Sequence, residues 1–202
     1  MALSFIHELI QILPANYQGV EQCEIISQWL DVHPDYMQEC RNTLQNWLVL
    51  AREKNASDMD FGAPGCRGQV WMRIYGTKKP IDELGVYSNL EATAIILSWL
   101  SPSQTKRLFT YKSVDYSLYF ADKDRDARFR GTTYFDMGFL GSNFRKINDT
   151  LFSMEALGIP APIADRMNLS YEKAGLVLIT GITGSGKSTT LDTIIDMNNR
   201  DN

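Results

Sequence analysis

Apolar residues recur at helical spacing through the first quarter of the chain. Phe5, Leu9 and Ile12 fall on one face of a first short helix. A second helix is predicted over residues 20–30, and a third begins at Pro34, a residue that suits the first position of a helix. Residues 3–54 are therefore predicted to be helical.

From residue 57 onward, short segments alternate between apolar and polar residues, which is typical of strands with one buried face. Two helices interrupt them, over residues 89–100 with Ser88 or Asn89 as the cap, and over 103–109 with Ser101 as the cap. This order predicts an α+β domain. The predicted strands cover residues 57–61, 69–75, 114–120, 127–135 and 139–147.

A connector containing Pro160 and Pro162 follows, and both prolines should limit helix formation there. Residues 175–180 then form an apolar run, as expected for a strand buried on both faces, and a helix is predicted over 189–197. We therefore expect the beginning of an α/β nucleotide domain at the end of the chain. The predicted divisions are a helical extension at 1–42, the α+β domain at 43–148, a linker at 149–170 and the start of the α/β domain at 171–202.

Composition narrows the function classes. Of 202 residues, 44% are hydrophobic, which supports a folded core, and the net charge of −4 does not favour nucleic acid as a partner. The three cysteines, Cys23, Cys40 and Cys66, are widely spaced and suggest reduced structural thiols and no zinc site. We expect no transmembrane segment, because no apolar run approaches ~18 residues.

Residues 181–188 fit the phosphate-binding pattern GxxxxGK[ST]. Glycines let backbone N–H groups surround a phosphate, and the helix that follows directs its positive end at the same charge. In this pattern Lys187 reaches the β- and γ-phosphates of ATP, and the hydroxyl of Ser188 holds Mg²⁺. The alternative is a flexible loop that matches by chance. The predicted nucleotide-binding residues are Gly181, Thr183, Gly184, Ser185, Gly186, Lys187, Ser188 and Thr189.

Binding of ATP does not by itself give hydrolysis. A P-loop enzyme also uses a carboxylate on a later strand to hold the metal ion. Only one helix and a short polar tail follow the loop, over residues 191–202. We therefore expect the chain to be the front part of a larger protein, and not to turn over ATP alone.

Arg128, Arg130 and Arg145 form a second candidate group. Arg128 and Arg130 are two residues apart, so on a strand they share a face. An arginine fork suits phosphate oxygens, but it pairs equally well with surface carboxylates. Spacing alone leaves both interpretations open. The carboxylates nearest in sequence are Asp122, Asp124 and Asp126.

Several segments together resemble the secretion ATPases, and among them the motors that retract type IV pili. The loop segment GLVLITGITGSGKSTTL at 175–191 carries the resemblance first. Four shorter segments agree with it in order and spacing, and the likeness extends over about residues 43–202. They are KNASD at 54–58, RFR at 128–130, FRKI at 144–147 and MEALGIP at 154–160.

The resemblance implies a hexameric cytoplasmic motor, peripheral to the inner membrane, that uses ATP and Mg²⁺. It implies a PAS-like N-terminal domain, a RecA-like ATPase domain, and an inner-membrane platform protein of the pilus as a partner. It also implies that Arg128, Arg130 and Arg145 reach the phosphates of ATP, and with the resemblance a phosphate role is favoured for Arg145 and one of the other two.

The chain also departs from the family pattern. Ile182 stands where the family usually has proline, Asn148 ends a segment that usually ends in proline, and residues 1–42 have no counterpart in the short retraction motors. Two other functions therefore stay open: an ATPase of type II secretion or conjugation, and a module for oligomerisation or regulation that does not depend on nucleotide.

Overall fold

The computed structural model describes residues 3–14, 17–122, 125–147, 151–171, 174–182 and 185–201. The chain divides into two compact units, Met1–Ile147 and Asn148–Asn202. Thr183 and Gly184, both predicted to bind nucleotide, lie outside the described residues, as do Asp124 and the side chain of Asp122.

The first unit is α+β and is built on one antiparallel sheet of six strands in the order β3-β2-β1-β6-β5-β4. All five predicted strands are confirmed, with β3 as an additional one. The strands are β1 Ala56–Phe61, β2 Trp71–Ile74, β3 Thr77–Pro80, β4 Ser113–Asp122, β5 Arg125–Asp136 and β6 Phe139–Lys146.

The additional strand β3 arises from a tight hairpin. Ile74 pairs with Thr77, so only Tyr75 and Gly76 form the loop. Both have positive φ angles, 48° and 81°, as a type I′ turn requires. Glycine is ordinary at such a position but tyrosine is not, which is why the sequence did not indicate this hairpin.

Helices cover the apolar face of the sheet. The predicted helices of residues 3–54 are confirmed, and their buried residues Leu9, Ile26, Leu44 and Trp47 belong to the same hydrophobic core as the strands. The predicted boundary at residue 42 falls inside α3, and the division into domains stays a prediction. The helices of this unit are α1 Ile6–Ile12, α2 Val20–Val32, α3 Pro34–Glu53, α4 Asn89–Ser98 and α5 Pro102–Tyr111.

Glu91 connects the N-terminal segment to α4. Its buried carboxylate accepts hydrogen bonds from the backbone N–H of Leu3 at 2.8 Å and of Ser88 at 2.7 Å. In return the Ser88 hydroxyl accepts from the Glu91 N–H, which completes a capping box. The predicted cap at Ser88 is thus confirmed, and one carboxylate serves two elements.

Replacing Glu91 with alanine is therefore expected to lower the free energy of unfolding by about 2 kcal/mol, because it removes a helix cap and leaves a buried N–H of Leu3 unpaired. Urea titration followed by circular dichroism measures this loss. Glu83→Ala is the matched control. Among the described residues the Glu83 side chain makes only a surface ion pair with Lys54, so its loss should change stability by less than about 1 kcal/mol. Equal effects of the two changes would contradict the structural role of Glu91.

The second unit contains two helices, α6 Ala161–Arg166 and α7 Lys187–Asp201. The prolines at 160 and 162 lie at the cap and in the first turn of α6, positions that tolerate proline, so a helix forms where the sequence argued against one. Asn198 joins the two helices, because its side chain accepts from the Leu169 N–H at 2.7 Å and donates to the Met167 carbonyl at 3.0 Å.

The strand predicted at residues 175–180 is not present. This segment has no strand assignment, and Leu176, Val177 and Leu178 are exposed by 84%, 64% and 74%. A strand is held by hydrogen bonds to a neighbouring strand, and the described residues of this unit supply none. None of the described helices in either unit is both long and apolar enough to cross a lipid bilayer.

Candidate nucleotide loop and charged sheet face

The candidate nucleotide loop leads directly into α7. Lys187 is the first residue of this helix, two residues earlier than predicted, and Ser188 is the second. Both therefore lie where unpaired backbone N–H groups give the helix its positive end. The Ser188 side chain is exposed, and those of Lys187 and Thr189 are partly exposed.

Two glycines shape this loop. Gly186 has a φ angle of 85° and Gly181 one of 154°. A Cβ atom on Gly181 would lie 2.6 Å from the Ser185 hydroxyl oxygen, a distance that no side chain can occupy without displacing Ser185. Glycine is favoured at position 181 by this φ angle, which L side chains rarely adopt, and it leaves the Ser185 hydroxyl in place.

Lys187 contacts its own loop. Its ammonium group donates a hydrogen bond to the carbonyl oxygen of Ile182 at 2.7 Å, and the Ser185 N–H donates to the same carbonyl at 3.2 Å. Ile182, which replaces the usual proline, has an exposed side chain. Its backbone carbonyl thus holds the lysine against the loop.

A separate group of charged residues lies on the face of the sheet away from the core. We call this the charged sheet face and define it as Asp58, Asp60, Arg73, Lys78, Asp115, Arg128, Arg130 and Arg145. Arg128 and Arg130 are exposed on either side of buried Phe129, so the prediction that they share a face is confirmed.

Asp58 is the centre of this face. Arg145 donates from Nε to its carboxylate at 2.9 Å, and Arg73 lies on the other side at 3.6 Å. The Asp58 side chain is only 12% exposed, whereas Arg145 is 70% exposed. The register explains the contact, because Asp58 pairs with Arg145 across β1 and β6 and with Arg73 across β1 and β2.

Arg130 pairs with Asp115 of the neighbouring strand β4, at 3.4 Å. The Thr132 hydroxyl and the Arg130 guanidinium lower the pKa of the Asp115 carboxyl. Arg128 has no ion-pair partner among the residues that the structure describes. Arg130 and Arg145 therefore contact carboxylates, but not the ones nearest in sequence.

Sequence reasoning missed Asp58 and Asp115 as partners of these arginines. The signal for Asp58 was present, since alternation over residues 57–61 puts Asp58 and Asp60 on one face of β1. The structure brings Arg130 and Arg145 opposite each other across β5 and β6. The nucleotide loop belongs to the second unit, and its binding role stays a prediction.

Comparison with known proteins identifies relatives of this chain, although no family model matches it. It is 30% identical over 149 residues to the type IV pilus retraction ATPase PilT of Pseudomonas aeruginosa, which covers 74% of this chain and 40% of that protein. It is 31% identical over 125 residues to the twitching motility protein of Neisseria gonorrhoeae, which covers 62% of this chain and 32% of that protein.

A solved structure agrees with these relatives. The crystal structure of the pilus retraction motor PilT with bound ADP matches with a TM-score of 0.57 and 28% identity, over 73% of this chain and 40% of that one. The chain thus spans about 40% or less of the length of these relatives. From these likenesses in sequence and fold, the chain belongs to the family of type IV pilus and secretion motor ATPases.

Proposed function

We propose that this chain acts as the N-terminal part of a motor ATPase that binds Mg-ATP at residues 181–189 and powers the retraction of type IV pili. The observation that carries the proposal is the position of Lys187 and Ser188 at the start of α7, directly after a loop in which Gly181 has a φ angle of 154°. The relative PilT, whose structure contains ADP, supports the same ligand class.

The residues present fit a nucleotide phosphate chain. Phosphate oxygens accept hydrogen bonds, and the loop offers the Lys187 ammonium group and the N–H groups at the start of α7 as donors. The exposed hydroxyl of Ser188 provides an oxygen ligand of the kind that Mg²⁺ prefers. A bound phosphate would replace the Ile182 carbonyl as the hydrogen-bond acceptor of the Lys187 ammonium group. Nucleotide binding would therefore change the contacts within the loop.

We propose a sensing role for the arginines of the charged sheet face. Arg128 has no ion-pair partner within the described residues, and Arg145 is 70% exposed although it is paired with Asp58. Both guanidinium groups can therefore bind further oxygen ligands, in keeping with contacts to ATP phosphates. Arg130 belongs to the same proposed group, through its loose contact with Asp115.

The wider assembly is part of the proposal. The first unit would be PAS-like, and the second would begin a RecA-like ATPase domain. Subunits would form a cytoplasmic hexamer at the inner membrane, where a platform protein of the pilus would be the partner. The names of the relatives, a retraction ATPase and a twitching motility protein, support this direction of function.

Magnesium gives the sharpest test of the loop. We expect the chain to bind ADP about tenfold more tightly with Mg²⁺ than with EDTA, and Ser188→Ala to remove this difference while weak Mg-free binding is kept. Isothermal titration calorimetry measures both affinities. Ser103→Ala, on α5 of the other unit, should behave like the unmodified chain.

Two results would contradict the proposal. One is the absence of ADP binding by the unmodified chain under both conditions, which would favour a module that works without nucleotide. The other is a Mg²⁺ effect that Ser188→Ala leaves unchanged, which would remove Ser188 from the metal site.

A further inference from the structure

The sheet of the first unit has one long edge to which no described strand is bound. β4 pairs with β5 on one side, and within the described part of the chain no strand lies on its other side. The Phe135 N–H donates to the Lys112 carbonyl at 3.0 Å. Lys112 therefore points its backbone groups at β5. Because the direction of these groups alternates along an antiparallel strand, the N–H and C=O groups of every second residue from Ser113 onward point away from the sheet. These residues are Ser113, Asp115, Ser117, Tyr119 and Ala121.

The opposite edge is protected, which makes β4 unusual. β3 is only four residues long, with sequence TKKP. Pro80 has no N–H to donate, and Lys78 and Lys79 add charge. Short length, lysine and proline are the usual devices that prevent strand addition. The ten residues of β4 contain neither lysine nor proline, so the sheet discourages a partner at one edge and not at the other.

We propose that β4 binds β4 of a second copy of this chain, antiparallel and about a two-fold axis at Ser117. In this register Ser117 faces its own copy, Asp115 faces Tyr119, and Ser113 faces Ala121. All five outward residues of each strand then enter hydrogen-bonded pairs, and each pair exchanges two backbone hydrogen bonds. The six-stranded sheets would become one continuous sheet.

Charge disfavours one shifted register. An axis at Asp115 would place two carboxylates opposite each other, which is unfavourable, and would pair only residues 113–117. An axis at Ser117 instead places Asp115 beside the partner's Tyr119, and Arg128 follows Tyr119 across β4 and β5. Each Asp115 would thus lie near Arg128 of the other copy, and Arg128 has no ion-pair partner within the described residues.

The side chains also suit pairing. Asp115 is 58% and Tyr119 62% exposed, so both are accessible. On the other face, Tyr116 and Leu118 are buried under the helices and would meet as a cross-strand pair that extends the apolar surface. The contact uses the same patch on both copies, and so differs from the head-to-tail packing of a ring. It uses none of the residues of the proposed nucleotide loop at 181–189.

A charge at the axis tests the contact. Ser117→Lys would place two ammonium groups opposite each other, and should raise the dimer dissociation constant by about tenfold or more. Sedimentation velocity without nucleotide measures it. Thr77→Lys is the matched control, because it makes the same change on the β3 edge and should leave the dimer intact. Lys187→Ala should also leave it intact, which separates this proposal from the proposed function.

A cross-link tests the register directly. Hydrogen-bonded residues of antiparallel strands have Cα atoms about 5.5 Å apart, within the range of a disulfide. Ser117→Cys should therefore oxidise to a covalent dimer much faster than Thr77→Cys. The three natural cysteines are buried, and burial raises the pKa of the Cys23 and Cys40 thiols to about 12, so they should not react.

Three results would overturn the proposal: a monomeric chain at all accessible concentrations, equal dissociation constants for Ser117→Lys and Thr77→Lys, or equal cross-linking at positions 117 and 77. A chain that is monomeric alone but acquires another protein's strand at β4 would also overturn pairing between copies.

Discussion

Replacement of Lys187 by alanine is expected to weaken binding of Mg-ADP and Mg-ATP on the order of 100-fold. The lysine ammonium makes charge-assisted hydrogen bonds to phosphate, and each is typically worth about 1.5–3 kcal/mol. It also begins α7 and lies over the loop through its bond to the Ile182 carbonyl. No other described side chain of the loop carries a positive charge. Calorimetric titration of Lys187→Ala and of the unmodified chain measures the loss of affinity.

Lys79→Ala is the control for this change, because it removes the same charge from an exposed position of β3. It should bind nucleotide like the unmodified chain, and both variants should keep the circular dichroism of the folded protein. If Lys187→Ala bound nucleotide as tightly as Lys79→Ala, the loop would not be the phosphate site.

Replacement of Gly62 by alanine is expected to destabilise the first unit by about 3 kcal/mol. Gly62 follows β1 with a φ angle of 88°, which is unfavourable for alanine. Its Cβ atom would lie 2.5 Å from the Leu140 carbonyl oxygen and 2.7 Å from Cδ1 of Ile96. The first contact is with backbone of β6, so relief requires movement of the sheet. Urea unfolding measures the loss.

Gly76→Ala separates the cost of the positive φ angle from the cost of the close contact with β6. Gly76 has a similar φ angle, 81°, but no atom lies within 4 Å of the position of its Cβ atom. It should cost about 1 kcal/mol, from backbone strain alone. An effect of Gly62→Ala no larger than that of Gly76→Ala would mean that the close approach of Gly62 to β6 is not maintained in solution.

The sequence predicted most elements of the first unit because their patterns are local. Helical spacing indicated α1 to α3, alternation indicated five strands, and Ser88 and Ser101 indicated the starts of α4 and α5 correctly. β3 was missed because its hairpin places Tyr75 at positive φ, where a turn pattern would have glycine or asparagine.

The errors in the second unit have a different origin. An apolar run predicts burial, but it becomes a strand only where another strand accepts its hydrogen bonds. Residues 175–180 meet none among the described residues of their unit, and the side chains of Leu176, Val177 and Leu178 are exposed. The sequence did not predict α6, because proline breaks a helix interior. Pro160 and Pro162 instead lie at the cap and in the first turn, where proline is tolerated.

In the candidate site, too, local patterns could be predicted from the sequence and distant contacts could not. The loop of residues 181–188 is one contiguous pattern, so its residues could be named without a fold. The partners of the arginines could not be named from the sequence. Asp58 and Arg145 are separated by 87 positions and meet only through the register of β1 and β6. Carboxylates close in sequence were the natural expectation, but contacts across a sheet depend on strand order.

Amide NMR of the isotope-labelled chain during titration with Mg-ADP tests most directly whether this family member binds nucleotide at its loop. We predict saturable shifts that are largest at Gly181, Ser185, Gly186, Lys187 and Ser188, and that are lost in Lys187→Ala. Shifts confined to residues of the first unit, or no saturable shifts in the loop, would contradict nucleotide binding at this site.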